Sequence, residues 1–238
     1  MNAKLMYSDF INDYSPILID NGFVRRRNAF YRRSNNETIL RISMMPVLES
    51  FFVYCSAYPF AAGFDTADTR ITHSSFFMDV NQLTALLLNK KLLDVSNYDK
   101  GDYSLFRETT YHNFASYIFP EFNKICGLTS YLSYLEWQIT LISTACHQEE
   151  KLNPKVPAIV YWQKGDYDKV CEYLQEYLTV NESDYKELLS RPPGGFVTNY
   201  NLIKEIVSEL VNGNHTIIDD ILSNRMQISI ATCQRLRL

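Results

Sequence analysis

The 238-residue chain reads as an α+β protein: an N-terminal helix, a small antiparallel sheet of three to four strands, then a mostly α-helical C-terminal part. Three observations predict this. Period-two alternation with β-branched and aromatic residues is concentrated in residues 23–60. Apolar spacings of three and four run through residues 5–21 and nearly everything after residue 80. A polar stretch, 94–102, ends at Gly101 and divides a helix-plus-sheet domain over 1–93 from a helical region packed on it over 103–238.

Taken in order, Tyr7, Phe10, Ile11, Tyr14, Ile17 and Leu18 make an amphipathic helix. Ser8 or Asp9 is its expected cap, Pro16 predicts a kink or break near Ser15, and Asn21-Gly22 predicts a left-handed stop. Arg27-Asn28 suits a tight turn inside the run from Phe23 to Arg33. Residues 38–45 set Thr38, Leu40, Ile42 and Met44 on one face, which predicts a half-buried strand. Residues 51–60 are apolar on both sides, which predicts a strand covered on both. Ile71 to Phe77 offers a possible fourth strand.

Helices follow over 81–93 with Asp79 or Asn81 as cap, over 103–119 until Pro120, and over 129–146 with the stripe Leu128, Leu132, Leu135, Ile139, Ile142 and Cys146. Residues 155–179 predict a helical hairpin around Lys164-Gly165-Asp166. A short helix at 182–190, another at 200–211 and one or two over 215–236 complete the chain. Arg225, Arg235 and Arg237 are expected to form a basic tip.

The totals exclude several function classes. Hydrophobic residues are 46% and charged residues 21%, the balance of a folded chain with its own core. The net charge is -4, whereas a general nucleic-acid binder is usually basic. The five cysteines, Cys55, Cys126, Cys146, Cys171 and Cys233, lack zinc-ligand spacing; all but Cys233 lie in apolar surroundings, which predicts buried free thiols in a reducing compartment. Met1 to Met6 lacks the apolar core of a signal peptide, and no apolar run approaches the ~20 residues of a membrane span. A cytoplasmic location without membrane attachment is the expectation.

No chemistry-bearing motif emerges. His73, His112, His147 and His215 are scattered without metal spacing, and Cys146-His147 point apart on a helix. Asp65, Thr66 and Asp68 lack the later Gly and Glu of a calcium loop. The loop from Arg191 to Phe196 lacks the Lys-Ser/Thr of a phosphate loop. No cofactor, metal or catalytic residue is therefore assigned.

The feature with a chemical edge is arginine. Arg25, Arg26, Arg27, Arg32, Arg33 and Arg41 crowd adjacent strands, where guanidinium groups repel one another unless they meet anions. Arg25, Arg27, Tyr31, Arg32, Arg41 and Tyr54 are the candidate partner-binding residues. They suit the carboxylates of another protein or a nucleic-acid backbone. The competing reading is an edge hairpin kept soluble by its charge.

Two resemblances add to this. The helix with an internal proline, Gly22-Phe23, the basic residues and Asn28-Ala29-Phe30-Tyr31-Arg32 resemble the start of the bacterial domain-of-unknown-function family 4304, over roughly the first sixty residues. That resemblance implies strands after the helix and a protein-binding, immunity-type role beside a toxin rather than catalysis. Tyr161 to Leu174 resembles the middle of one tetratricopeptide repeat, with Val170 where that repeat prefers Ala. The order of expectation is a non-enzymatic protein-binding module that neutralises an acidic partner through the basic sheet or the helical hairpin. A nucleic-acid-associated protein is the alternative, and an unrecognised hydrolase comes third.

Overall fold

The computed structural model describes residues 3–26, 29–35, 37–47, 50–63, 79–146, 151–190, 192 and 194–238. The expected turn at 27–28 and the possible strand at 71–77 lie outside them. By contacts the chain forms two units. One holds 1–58, 75–151 and 236–238; the other holds 59–74 and 152–235. The stretch 94–102, expected as a divide, lies inside the first unit and carries helical turns.

In the first unit, α1 spans Ala3–Asp20. It starts before Ser8 and Asp9, so neither caps it. It also runs unbroken through Pro16. The proline deprives only the exposed Asn12 carbonyl of its intrahelical donor, which water can replace. Phe10, Ile11, Tyr14 and Leu18 form the buried stripe. The helix ends as expected: Gly22 takes φ +81°, Phe23 N donates to Leu18 O and Gly22 N to Ile19 O, both at 2.9 Å. That paired closure satisfies two orphan carbonyls and brings Phe23 back onto Leu18.

Four antiparallel strands follow: β1 Val24–Arg26, β2 Ala29–Ser34, β3 Thr38–Val47 and β4 Ser50–Pro59, in spatial order β1-β2-β3-β4. β3 departs from the half-buried expectation. Ile39 and Ser43 are as buried as Leu40 and Ile42, and Arg41 alone among side chains 38–44 is half-buried. In β4 the small residues Val53, Cys55 and Ala57 are fully buried, while Phe52, Tyr54 and Tyr58 are half-covered.

The helix expected over 81–93 is two helices, α2 Val80–Leu87 and α3 Leu92–Ser96. Asn89 breaks it by adopting φ +51°, a conformation Asn tolerates better than most residues. Lys90 lies in the connection and Lys91 takes the N-cap position of α3 without a side-chain cap. After α4, Tyr103–Asn113, one π-helical turn over Phe114–Ile118 precedes α5, Phe119–Asn123. Pro120 has no N–H to continue the α ladder, and the wider turn absorbs the mismatch, with Phe119 N bonding Phe114 O. α6, Leu128–Cys146, buries Leu128, Tyr131, Tyr134, Leu135, Gln138 and Ile139. Its core face is thus rotated from the expected stripe, and Leu132 and Ile142 are half-buried. Aromatic rings carry much of this core: Tyr14 meets Phe10, Tyr111 and Phe114, with centroids 4.3–4.9 Å away.

The second unit comprises a 3₁₀ turn over Phe60–Ala62 and α7 Lys155–Gln163, α8 Tyr167–Val180, α9 Glu182–Leu188, α10 Gly195–Val211 and α11 Thr216–Leu236 as far as Arg235. The hairpin α7–α8 turns at Gly165, φ +77°, with Asp166 accepting from Lys169 N. α10 starts five residues before the expected Tyr200 and packs along α8. The basic tip expected at the C-terminal end loses Arg225, which is fully buried. It falls in the stripe Ile218, Ile221, Leu222, Ser229 and Cys233 that faces the core.

One buried carboxylate ties sheet to helices in the first unit. Asp79 accepts from Val53 N at 2.8 Å and Asn81 N at 2.9 Å, and forms a capping box with Gln82 at the start of α2. Beside it, Asn81 donates to Thr110 Oγ1 at 3.0 Å, and Asn113 donates to Asn81 Oδ1 at 2.9 Å. Burial outweighs these donors and pushes the Asp79 pKa from 3.8 up to about 6. A raised carboxyl pKa means that the unfolded chain loses its proton first. The Asp79 contribution to stability therefore falls as pH rises from about 4 to 6 and stays lost above that. Asp79→Asn removes the charge and one of the two acceptor oxygens, so it lowers stability at every pH but makes it independent of this titration. Urea unfolding at pH 4.5 and 7 is expected to show the variant gaining on the parent by up to about 2 kcal/mol between the two.

Candidate functional site: the arginine-bearing sheet

Strand register decides which arginines share a surface, because directly paired residues point the same way. β1 and β2 pair Val24 with Tyr31, Arg25 with Phe30 and Arg26 with Ala29. β2 and β3 pair Tyr31 with Arg41, Arg32 with Leu40 and Arg33 with Ile39. Arg26, Tyr31, Arg33 and Arg41 thus occupy one face. Arg25 and Arg32 occupy the other, with Phe30, Leu40 and Ile42. The expected single cluster is divided between the two faces. Arg27 lies outside the described residues.

Arg32 is engaged within the molecule. Its Nη1 donates to Asn21 O at 3.2 Å and to Asn123 Oδ1; its Nη2 donates to Asn123 O at 3.1 Å and Ile125 O at 3.3 Å. The guanidinium lies over the Phe23 ring at 4.8 Å. These acceptors lie at or just beyond the C-terminal ends of α1 and α5, where carbonyls lack intrahelical donors and the helix dipoles favour a cation. Burial lowers the Arg32 pKa, although a guanidinium stays protonated in proteins. Arg26 behaves similarly. It donates to Leu236 O, to Arg237 O at 3.3 Å and to Arg25 O at 2.9 Å. Arg25, by contrast, is exposed, and Tyr31 and Arg41 are half-buried.

Tyr54 does not join them. It lies on β4, two strands from Tyr31, where it bridges to Asp79 and has Phe52 at 6.2 Å. Burial and then the Asp79 charge raise its pKa.

Composition and spacing did not reveal a groove of about 600 Å³ where the β2–β3 end meets α5 and α6. Glu37, Glu121, Cys126, Tyr134 and Trp137 are among its walls. Glu37 Oε2 accepts from Leu128 N at 3.0 Å, and a side chain at Gly127 would come within 2.5 Å of that oxygen. Cys126 is exposed here and Cys233 is buried, the reverse of the surroundings expected for these two thiols.

In the second unit Asp219 gathers two side-chain donors. Trp162 Nε1 and the Tyr167 hydroxyl both donate to Asp219 Oδ1, at 2.7 and 2.8 Å. His215 stacks on Tyr167 at 3.7 Å. Lys155 lies 4.8 Å over the Tyr177 ring, and burial first, then Arg225, lower its pKa. In the first unit, His112 is exposed beside Ser116 and Tyr117. Among the described residues no group of three or more His, Cys, Asp or Glu side chains is arranged to hold a metal ion. No helix among them is long and apolar enough to cross a membrane.

Comparison with protein-family models, curated proteins and solved structures finds no match to this chain.

The two classes of arginine separate by stability. Arg32→Ala strands several carbonyls and is expected to cost roughly 2–4 kcal/mol in urea unfolding. Arg25→Ala is expected to stay within about 0.5 kcal/mol of the parent.

Proposed function

We propose that this chain is a non-catalytic protein-binding module of the immunity-like kind implied by its resemblance to domain-of-unknown-function family 4304. The partner in this reading is an acidic protein surface, and the compartment is the cytoplasm. What supports it is the pairing of Tyr31 with Arg41 across β2 and β3, with Arg33 two residues along the same face, together with the exposed Arg25 on edge strand β1. A tyrosine beside an arginine offers a flat amphipathic contact and a charged fork, a combination suited to carboxylates. Arg26 and Arg32 are left out of the contact set because their donors are turned to main-chain and Asn123 acceptors. Arg27 remains in it on sequence grounds, and Tyr54 is left out because it faces Asp79.

The reading is tested with polyglutamate as a model acidic protein surface and single-stranded DNA as the competing polyanion. Retention on polyglutamate is expected to fall about tenfold in the Arg25→Glu/Arg41→Glu variant, with an unchanged circular dichroism spectrum. Equal retention of parent and variant contradicts the proposal. Tight, steeply salt-dependent binding to DNA without binding to polyglutamate favours the nucleic-acid reading instead. Co-expression with the product of an adjacent toxin-like gene extends the test to a natural partner.

A further inference from the structure

The first unit includes residues 236–238, and these engage Arg26 on edge strand β1. The guanidinium Nε donates to Leu236 O, Nη2 donates to Arg237 O at 3.3 Å, and Nη1 turns back to Arg25 O at 2.9 Å. All of these acceptors are neutral main-chain oxygens. Arg26 pairs with Ala29 in the strand register, which sets it diagonally beside Tyr31 on the same face, roughly 7–8 Å away. Residues 236–238 therefore occupy an arginine that strand pairing alone would deliver to the surface of Tyr31 and Arg41.

This contact differs in kind from that of Arg32. Arg32 is seated on the Phe23 ring, and its acceptor residue Asn123 is tied back to Asn21 by a further hydrogen bond. The bonds from the two Nη atoms of Arg26 are exposed. One of their acceptors belongs to Arg237, which adopts φ +54°, a left-handed conformation that an L side chain resists. Arg237 is itself exposed, so the contact brings a further positive charge to a strand that already carries Arg25 and Arg26. A carboxylate offers the same fork two charged oxygens and a stronger bidentate pair than neutral carbonyls do. Exchange of carbonyls for a carboxylate gains bond strength, relieves the left-handed residue and separates like charges. We propose that residues 236–238 are an autoinhibitory strap. They hold Arg26 in the free protein and are displaced when an acidic partner binds, which adds Arg26 to the contact set of Tyr31 and Arg41. The proposal deepens the protein-binding reading and rests on it for the acidity of the partner.

The strap is followed by amide NMR of the isotope-labelled full chain titrated with polyglutamate. The signals of Leu236, Arg237 and Leu238 are expected to sharpen and move to random-coil positions as the polymer saturates the protein. Retention on polyglutamate is the second measurement. A chain lacking 236–238 is expected to bind about threefold more tightly, although it has lost the Arg237 charge, because Arg26 no longer has to be released first. Arg26→Ala is expected to abolish that gain in the shortened chain. Ordered signals for 236–238 at saturation overturn the proposal. So does equal or weaker binding by a shortened chain whose circular dichroism spectrum matches the parent. If the shortened chain does not fold, the NMR titration decides alone. Parent binding that ignores Arg25→Glu/Arg41→Glu removes the acidic-partner surface and the strap with it. Parent binding that depends on that pair, with 236–238 unmoved, removes the strap alone.

Discussion

The first unit depends on the problem that every helix leaves at its C-terminal end: carbonyl oxygens with no donor in the helix. Arg32 answers it for two helices at once. One planar fork reaches Asn21 O behind α1 and Asn123 O and Ile125 O behind α5. Its position on β2, directly across from Leu40, sets where those helix ends meet the sheet. Phe23 beneath the guanidinium and the hydrogen bond that Asn123 Nδ2 donates to Asn21 Oδ1 at 3.1 Å complete the joint. A lysine carries the charge but not the fork, and would leave some of these acceptors to water.

That arrangement changes how a basic stretch in an acidic protein is understood. Six arginines on adjacent strands suggest a patch seeking an anion. Arg26 and Arg32 instead find carbonyl dipoles inside the molecule, and the pleat sends Arg25 to one face and Arg33 and Arg41 to the other. Mutual repulsion is relieved by geometry before any partner arrives. The proposed contact set rests on a tyrosine and an arginine facing each other across β2 and β3 and on an exposed guanidinium on the edge strand.

Local periodicity was legible wherever one element met one core. The α1 stripe, the Gly22 stop, the two central strands and the α7–α8 hairpin all follow from residue spacing and turn chemistry. Departures occur where a second neighbour intervenes. Asn89 splits a helix that its leucines would extend, and Pro120, which marks an interruption, gives no sign that the chain passes it by a π turn rather than a break. Arg225 was misplaced because its charge was weighed above its position, although spacing from Ile218, Leu222 and Ser229 puts it on the inner stripe. For Arg32 no pattern was available, since its acceptors Asn123 and Ile125 are distant in sequence and carry no mark of their role. Asp79 was identified as a possible cap, but its reach across to Val53 N was not visible from spacing.

The bond from Arg26 to Leu236 joins residues 210 positions apart, and the segments of the two units alternate along the chain. During synthesis on a ribosome, the hairpin emerges early and its distant acceptors only after almost all the intervening chain. Until then that guanidinium has solvent as its partner, and the first unit lacks one of its fastenings. Such late closure makes completion of this unit wait for residue 236, and a fragment cut after the sheet would carry the loose end permanently.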